Sequence, residues 1–393
     1  MLAGLEVLVR DHLNTLENAR VGLCCNHTAV DRDLRHAIDV LQAAGVPLVR
    51  LFGPEHGVRA TAQDMEGVGE TTDPVSGLET VSLYGDSADS LHPSKESLAD
   101  LDFLLFDIQD IGTRYYTYQA TLGFIMEVAG TVDCKVIVLD RPNPIDGVTV
   151  EGNLVGQGFE SFVGAYPIAI RHGMTVGELG HYFIQHCGVR CDYEVIRCEG
   201  WDRREWFDAF DLPWVYPSPN MPILETAAIY PGMCLFEATT LSEGRGTTRP
   251  FHLVGAPWID PQRFVTLAEE GAERAGLTGV GFRPAAFTPG FQKHAGVGCR
   301  GLEVHVFDRD RMNATLLGMV LVDAAYRCDP GGFGWRQEPY EFIDDVPAID
   351  LLTGSPEFRE AVENGGSIRA VLDGWEAQRQ LFLNRRGSCL LYS

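Results

Sequence analysis

Short apolar runs that stop abruptly at polar residues recur along the first part of the chain. Arg20–Cys25 (RVGLCC) ends at Asn26-His27-Thr28, and Val46–Phe52 (VPLVRLF) ends at Gly53-Pro54-Glu55-His56-Gly57. Phe103–Ile108 (FLLFDI) ends at Gln109-Asp110, and Lys135–Leu139 (KVIVL) ends at Asp140-Arg141-Pro142-Asn143-Pro144. Runs this short, with no polar alternation, predict strands buried on both faces. Asp33–Gly45 and Thr117–Ala129 follow two of them with apolar residues at helical spacing. Strands alternating with helices predict an α/β fold with a covered parallel sheet. In such sheets ligands bind beyond the carboxyl ends of the strands. Turn chemistry explains the Gly, Pro and Asn found there, but does not ask for Glu55, His56, Arg114 or Arg141.

Further along, Arg59–His92 is polar, Gly-rich and without clear period, which predicts a long binding or covering loop. Thr175 opens a helix (TVGELGHYFIQHC) with Glu178 placed to complete a capping box. Tyr193–Arg197 reads as another strand. After Trp258 the texture changes. Asp260–Gly276, Asn313–Tyr326 and Pro356–Asn364 read as helices, the last with Ser355 as cap and Pro356 in its first turn, and Glu303–Phe307 alternates like a strand. The expected organisation is a Rossmann-like parallel-sheet domain over residues 1–250, followed by a smaller auxiliary α+β domain over 251–393.

Charge narrows the partners. With 31 Lys+Arg against 55 Asp+Glu, the net charge is −24, which argues against nucleic acid and anionic membrane surfaces. A small-molecule substrate is expected, and nothing in the sequence sets the oligomeric state. No stretch approaches the ~20 apolar residues of a membrane span. The first twenty residues lack the features of a secretory signal, so a cytoplasmic location is expected unless the N-terminus was trimmed. Ten cysteines without such a signal predict buried free thiols.

Several familiar signatures are absent. There is no G-x-S-x-G elbow, no phosphate loop, no H-E-x-x-H pair, and no G-x-G-x-x-G after the first strand. No cofactor and no metal are expected. What remains is a set of carboxylates, arginines and aromatics at strand ends. Glu55, in a glycine-bracketed turn after a buried strand, is the sharpest candidate for a general acid, where partial burial would raise its pKa. Asp107 and Asp110 bracket Gln109 and offer a second carboxylate. Arg114, Arg141, Arg171 and Arg245 converging on one cleft would hold an anionic group. His172 also reads as a ligand-type histidine. These residues suit a hydrolase of polar ring-shaped substrates. They suit nearly as well a divalent-metal phosphoesterase using Glu55, His56, Asp107 and Asp110, and a non-catalytic amino-sugar-binding protein stays open.

Nine collinear segments carry a specific resemblance: GPEHGVR (53–59), SLYGD (82–86), FDIQDIGTRYYTY (106–118), VLDRPNP (138–144), VEGNL (150–154), FVGAYPIAIRHGMTVGEL (162–179), YPSPNMP (216–222), YPGMCLFE (230–237) and SEGRGTTRPF (242–251). Together they resemble the NamZ-type exo-β-N-acetylmuramidases, glycoside hydrolase family 171, long carried as a domain of unknown function. The resemblance implies a cleft between the two domains. It implies release of non-reducing terminal β-1,4-linked N-acetylmuramic acid from peptidoglycan fragments, in cell-wall turnover. By the same resemblance Glu55 is the catalytic acid. The second group stays open: Asp107, Asp110, Glu66 and Glu243 are the available carboxylates, and the substrate's own acetamido group is the alternative. Substrate-holding candidates are Asn26, His56, Arg59, Glu66, Arg114, Arg141, Asn143, Glu151, Arg171, His172, Asn220, Glu243 and Arg245. The lactyl carboxylate of the sugar gives the arginines a target. His252 stands where the family is expected to carry an acidic residue.

Overall fold

The protein is described by a computed structural model covering residues 1–59 and 71–393. The strands in chain order are β1 (Val21–Cys25), β2 (Leu48–Gly53), β3 (Thr71–Thr72), β4 (Glu79–Ser82), β5 (Phe103–Asp107), β6 (Lys135–Leu139) and β7 (Tyr193–Ile196). They form one sheet of order β3-β4-β2-β1-β5-β6-β7. Every pairing from β4 to β7 is parallel, and β3 is an antiparallel edge. Successive side chains on a strand face opposite sides. Val21, Leu23 and Cys25 therefore enter one buried cluster with Leu51, Leu105 and Ile137. Cys24, Phe52, Phe106 and Val138 enter another on the opposite face. This second cluster is covered by the helices Tyr118–Ala129 and Val176–His186, and continues without a break into the C-terminal part.

The chain runs from β1 out to β4, then returns to β5 on the other side of β1. That reversal creates a crevice at the carboxyl ends of β1 and β5, where Cys25 and Asp107 are register partners. The Thr175–Glu178 capping box forms as expected. The remaining strands, β8 (Leu253–Ala256), β9 (Val280–Phe287) and β10 (Cys299–Val306), make a separate antiparallel sheet of order β8-β10-β9. Helices Pro261–Ala275 and Ala314–Cys328 pack on it, capped by Asp260 and Asn313 as their sequences suggest. Helix Leu224–Met233 crosses Ala314–Cys328 where Gly232 meets Gly318, and a Cβ on either would collide with the other's backbone.

Two readings are corrected. The Arg59–His92 stretch contains strands, because β4 is only four residues long with a single buried side chain, Thr80, and presents no apolar run. The helix expected from Pro356 starts at Glu357 with Pro356 as cap, and Ser355 does not cap it. All ten cysteines are free thiols, eight of them buried. Among the described residues, no helix is long and apolar enough to cross a membrane.

Candidate active site

β2 ends at Gly53, and the next four residues form a tight turn closed by Gly57 N–H donating to Pro54 C=O at 2.8 Å. His56, in the third position, has φ +70°. That is the geometry of a type II turn, which normally places Gly there. A side chain held in this region costs on the order of 1–3 kcal/mol and persists only where its surroundings enforce it. The turn aims Glu55 into a narrow cleft at the carboxyl edge of the sheet. Glu55 is 7% exposed, and its Oε2 accepts a hydrogen bond from the Thr117 hydroxyl at 2.7 Å.

Aromatic rings wall the cleft. Tyr116 packs edge-on against Tyr118 and Tyr230, and Tyr230 against Phe251. Burial, with Glu55 and Asp110 adding to it, holds the Tyr116 hydroxyl well above the ordinary phenol range. Tyr116 therefore stays protonated as a donor. Ser218 and Asn220 enter from the 217–222 turn. The far wall comes from later in the chain: Glu237, Arg245, Phe251, Tyr340 and Glu341. Glu237 accepts from Arg245 at 2.9 Å and from the Tyr340 hydroxyl at 2.8 Å.

Glu243 sits behind Arg245, between it at 3.1 Å and Lys293 at 2.9 Å. Burial alone would raise its carboxyl pKa, but the two cations outweigh burial and hold it at about 2. A depressed carboxyl pKa stabilises the fold above its unfolded value, and this is lost as pH falls toward the folded one. The window here is pH 4.5 down to about 2, worth about 3 kcal/mol at ~1.4 kcal/mol per unit. Glu243→Gln removes that dependence. In thermal melts from pH 6 to pH 2, wild type should start more stable and converge on the variant. Parallel melting curves across that range would contradict the assignment.

Of the residues expected to form the site, the structure brings together Glu55, His56, Asn220 and Arg245, with Glu243 just behind. Asn26 is fully buried beside Tyr118, its Oδ1 accepting from the Thr28 amide. Arg59 closes a bidentate pair with Asp73, both contacts at 2.9 Å. Glu66 lies outside the described residues. Three of the four arginines do not converge on the cleft, which corrects the expected anion clamp. Arg141 pairs with Asp107, so this carboxylate is locked in a buried ion pair rather than presented to a ligand. Arg171 binds Asp146 and Glu151 at 2.7 and 2.9 Å, and the other Glu151 oxygen accepts the Thr315 amide at the start of a helix. Arg114 donates to the carbonyls of Asn153, Ile168 and Leu352. Burial draws its pKa down to about 10. Asn143 bridges the Met174 carbonyl and the Ile145 amide.

Asp110 and His172 form a pair behind the aromatic wall. Asp110 Oδ2 accepts from the Gly112 amide and lies 3.5 Å from His172 Nε2, while His172 Nδ1 accepts from the Met174 amide. Neither residue lines the cleft. His252 is likewise interior, between Thr226 and Val304, and burial lowers its pKa to about 4.

Thr117, Ser218, Glu237, Tyr340 and Glu341 were not singled out from sequence. The first three lie inside segments that carry the resemblance, so position within those motifs was the available signal. Tyr340 and Glu341 sit in an acidic stretch (EPYEFIDD) that reads as plain loop.

A buried carboxyl group beside a hydroxyl donor, in an aromatic-walled cleft beyond the strand ends of an α/β sheet, is a site of the ligand-binding type at which a carboxyl can serve as general acid. Residues 21–225 match the family described as Exo-beta-N-acetylmuramidase NamZ, N-terminal, and residues 228–392 match its C-terminal counterpart. The chain belongs to this family of glycoside hydrolases. It is 40% identical over 390 residues to the peptidoglycan beta-N-acetylmuramidase NamZ of Bacillus subtilis (strain 168), covering 99% of this chain and 91% of that protein. Two solved DUF1343 family proteins from Bacteroides fragilis NCTC 9343 share the fold. One has TM-score 0.87 at 32% identity and the other 0.75 at 28%, each covering 100% of this chain and 99% of its own.

Proposed function

We propose that this protein hydrolyses the β-glycosidic bond of a non-reducing terminal N-acetylmuramic acid, releasing that sugar from peptidoglycan fragments. Glu55 carries the reading: a buried carboxyl group on a strained turn, hydrogen-bonded by Thr117 and facing aromatic walls. As general acid it gives its proton to the glycosidic oxygen while the bond from that oxygen to C1 breaks. Arg245, fixed by Glu237 and Glu243, lines the cleft, and in this reading it is the arginine that meets the lactyl carboxylate.

The metal phosphoesterase alternative loses its ligand set, since Asp107 is tied to Arg141 and Asp110 sits outside the cleft. Among the described residues, no group of three or more His, Cys, Asp or Glu could hold a metal. The test is hydrolysis of para-nitrophenyl β-N-acetylmuramide beside the matching N-acetylglucosaminide, with and without EDTA. Release from the muramide should exceed release from the glucosaminide at least ~100-fold, because a site built around a polar group rejects the analogue lacking it. EDTA should change neither rate. Equal rates on the two sugars, or activity lost to EDTA and restored by metal, would overturn the proposal.

A further inference from the structure

Nine non-glycine residues among those described have positive φ, and three of them, His56, Phe251 and Glu341, line the one cleft. Glu341 has φ +47° and its neighbour Phe342 φ +69°. The two form the corner of a hairpin in which Tyr340 and Ile343 exchange both backbone hydrogen bonds, at 2.9 and 3.0 Å. A two-residue corner with both φ positive normally takes Asn-Gly. Here it holds Glu-Phe, so strain is concentrated at a residue facing the site.

The surroundings hold that corner from three sides. The Tyr340 hydroxyl donates to Glu237. The Phe342 ring packs against Tyr84, 5.6 Å between centroids, beside Phe162. Glu341 Oε2 accepts from the Tyr84 hydroxyl at 3.1 Å and the residue is 6% exposed. Tyr84 follows β4 in the parallel sheet, so the N-terminal part of the chain clasps a turn from its far end. The carboxylate presented by that turn shares a cleft with Glu55, itself on a strained turn.

We propose that Glu341 is the second carboxylate of the glycosidic reaction, placed against the anomeric carbon of the sugar whose bond Glu55 protonates. The inference rests on the glycosidase reading and deepens it. Glu55 gives its proton to the leaving oxygen, the C1–O pair departs with that oxygen, and positive charge develops on C1 and the ring oxygen. The Glu341 carboxylate stabilises that charge. Water then bonds to C1, and its released proton returns to the carboxylate pair.

Glu341→Gly and Glu341→Asn both suit positive φ, so the full-length variants should fold. On the aryl muramide, kcat should fall ~100-fold or more with KM within about fivefold of wild type. Thermal melting should stay level or rise as strain is relieved. Sodium azide should restore turnover in Glu341→Gly by occupying the space the carboxylate leaves. Wild-type-like kcat in both variants would overturn the proposal, as would an effect on KM alone or a loss that azide leaves unchanged. A wild-type protein inactive on the muramide would instead bring down the glycosidase reading and this inference with it.

Discussion

Glu55→Gln should lose about 10²–10⁴-fold in turnover while remaining folded and able to bind sugar. Gln keeps the length of the side chain, and its carbonyl can still accept the Thr117 hydrogen bond made at 2.7 Å. The turn depends on the Gly57–Pro54 bond and on His56, neither of which the change touches. The change removes the ionisable proton while keeping the size of the side chain. The size of the loss should therefore depend on the leaving group. para-Nitrophenolate departs without much help, whereas the sugar alkoxide of a MurNAc-GlcNAc disaccharide needs protonation. The variant should be hurt several-fold more on the disaccharide than on the aryl muramide. Rates on the two substrates, with calorimetric binding of the disaccharide, check this. Equal losses on both would assign Glu55 to something other than acid catalysis, and wild-type rates would remove it from the mechanism.

The architecture was legible wherever burial wrote a simple pattern. β1, β5 and β6 are buried on both faces and appear as short apolar runs, and β2 departs from that pattern only at half-buried Val49 and Arg50. β9 was hidden because it is half-exposed and contains Pro284, which suits its edge position. At the site, Glu55 and His56 stood out because no turn requires them. Arginines misled because a strand-end arginine can turn toward a cleft or inward, and sequence does not say which. Arg114 turned inward to satisfy three carbonyls, one of them Leu352 from the far end of the chain. Buried loop backbone must be paired, and a guanidinium with five donors does this well. Glu341 was hidden for the opposite reason. Its corner carries none of the residues such a turn favours, and its partner Tyr84 is remote in sequence.

Arg171→Met should destabilise the protein by about 3–5 kcal/mol, because it leaves two buried carboxylates without their cation. Arg171 is 1% exposed, and Asp146 and Glu151 are nearly as enclosed. Its guanidinium also lies 5.2 Å from the centre of the Trp206 ring. Glu151 passes the effect on, since its second oxygen caps the helix beginning at Ala314 through the Thr315 amide. Adding Glu151→Gln to Arg171→Met should recover part of the loss. One stranded charge is then gone, and an amide oxygen can still accept from Thr315. Urea unfolding of the two single variants and the double gives the coupling directly. Protein that folds at low temperature should keep its wild-type KM, because Arg171 is one of the arginines that do not line the cleft. A raised KM with unchanged stability would mean that Arg171 reaches the substrate after all. The acidic sugar would then be held by a pair of arginines, and Arg245 would no longer carry that role alone.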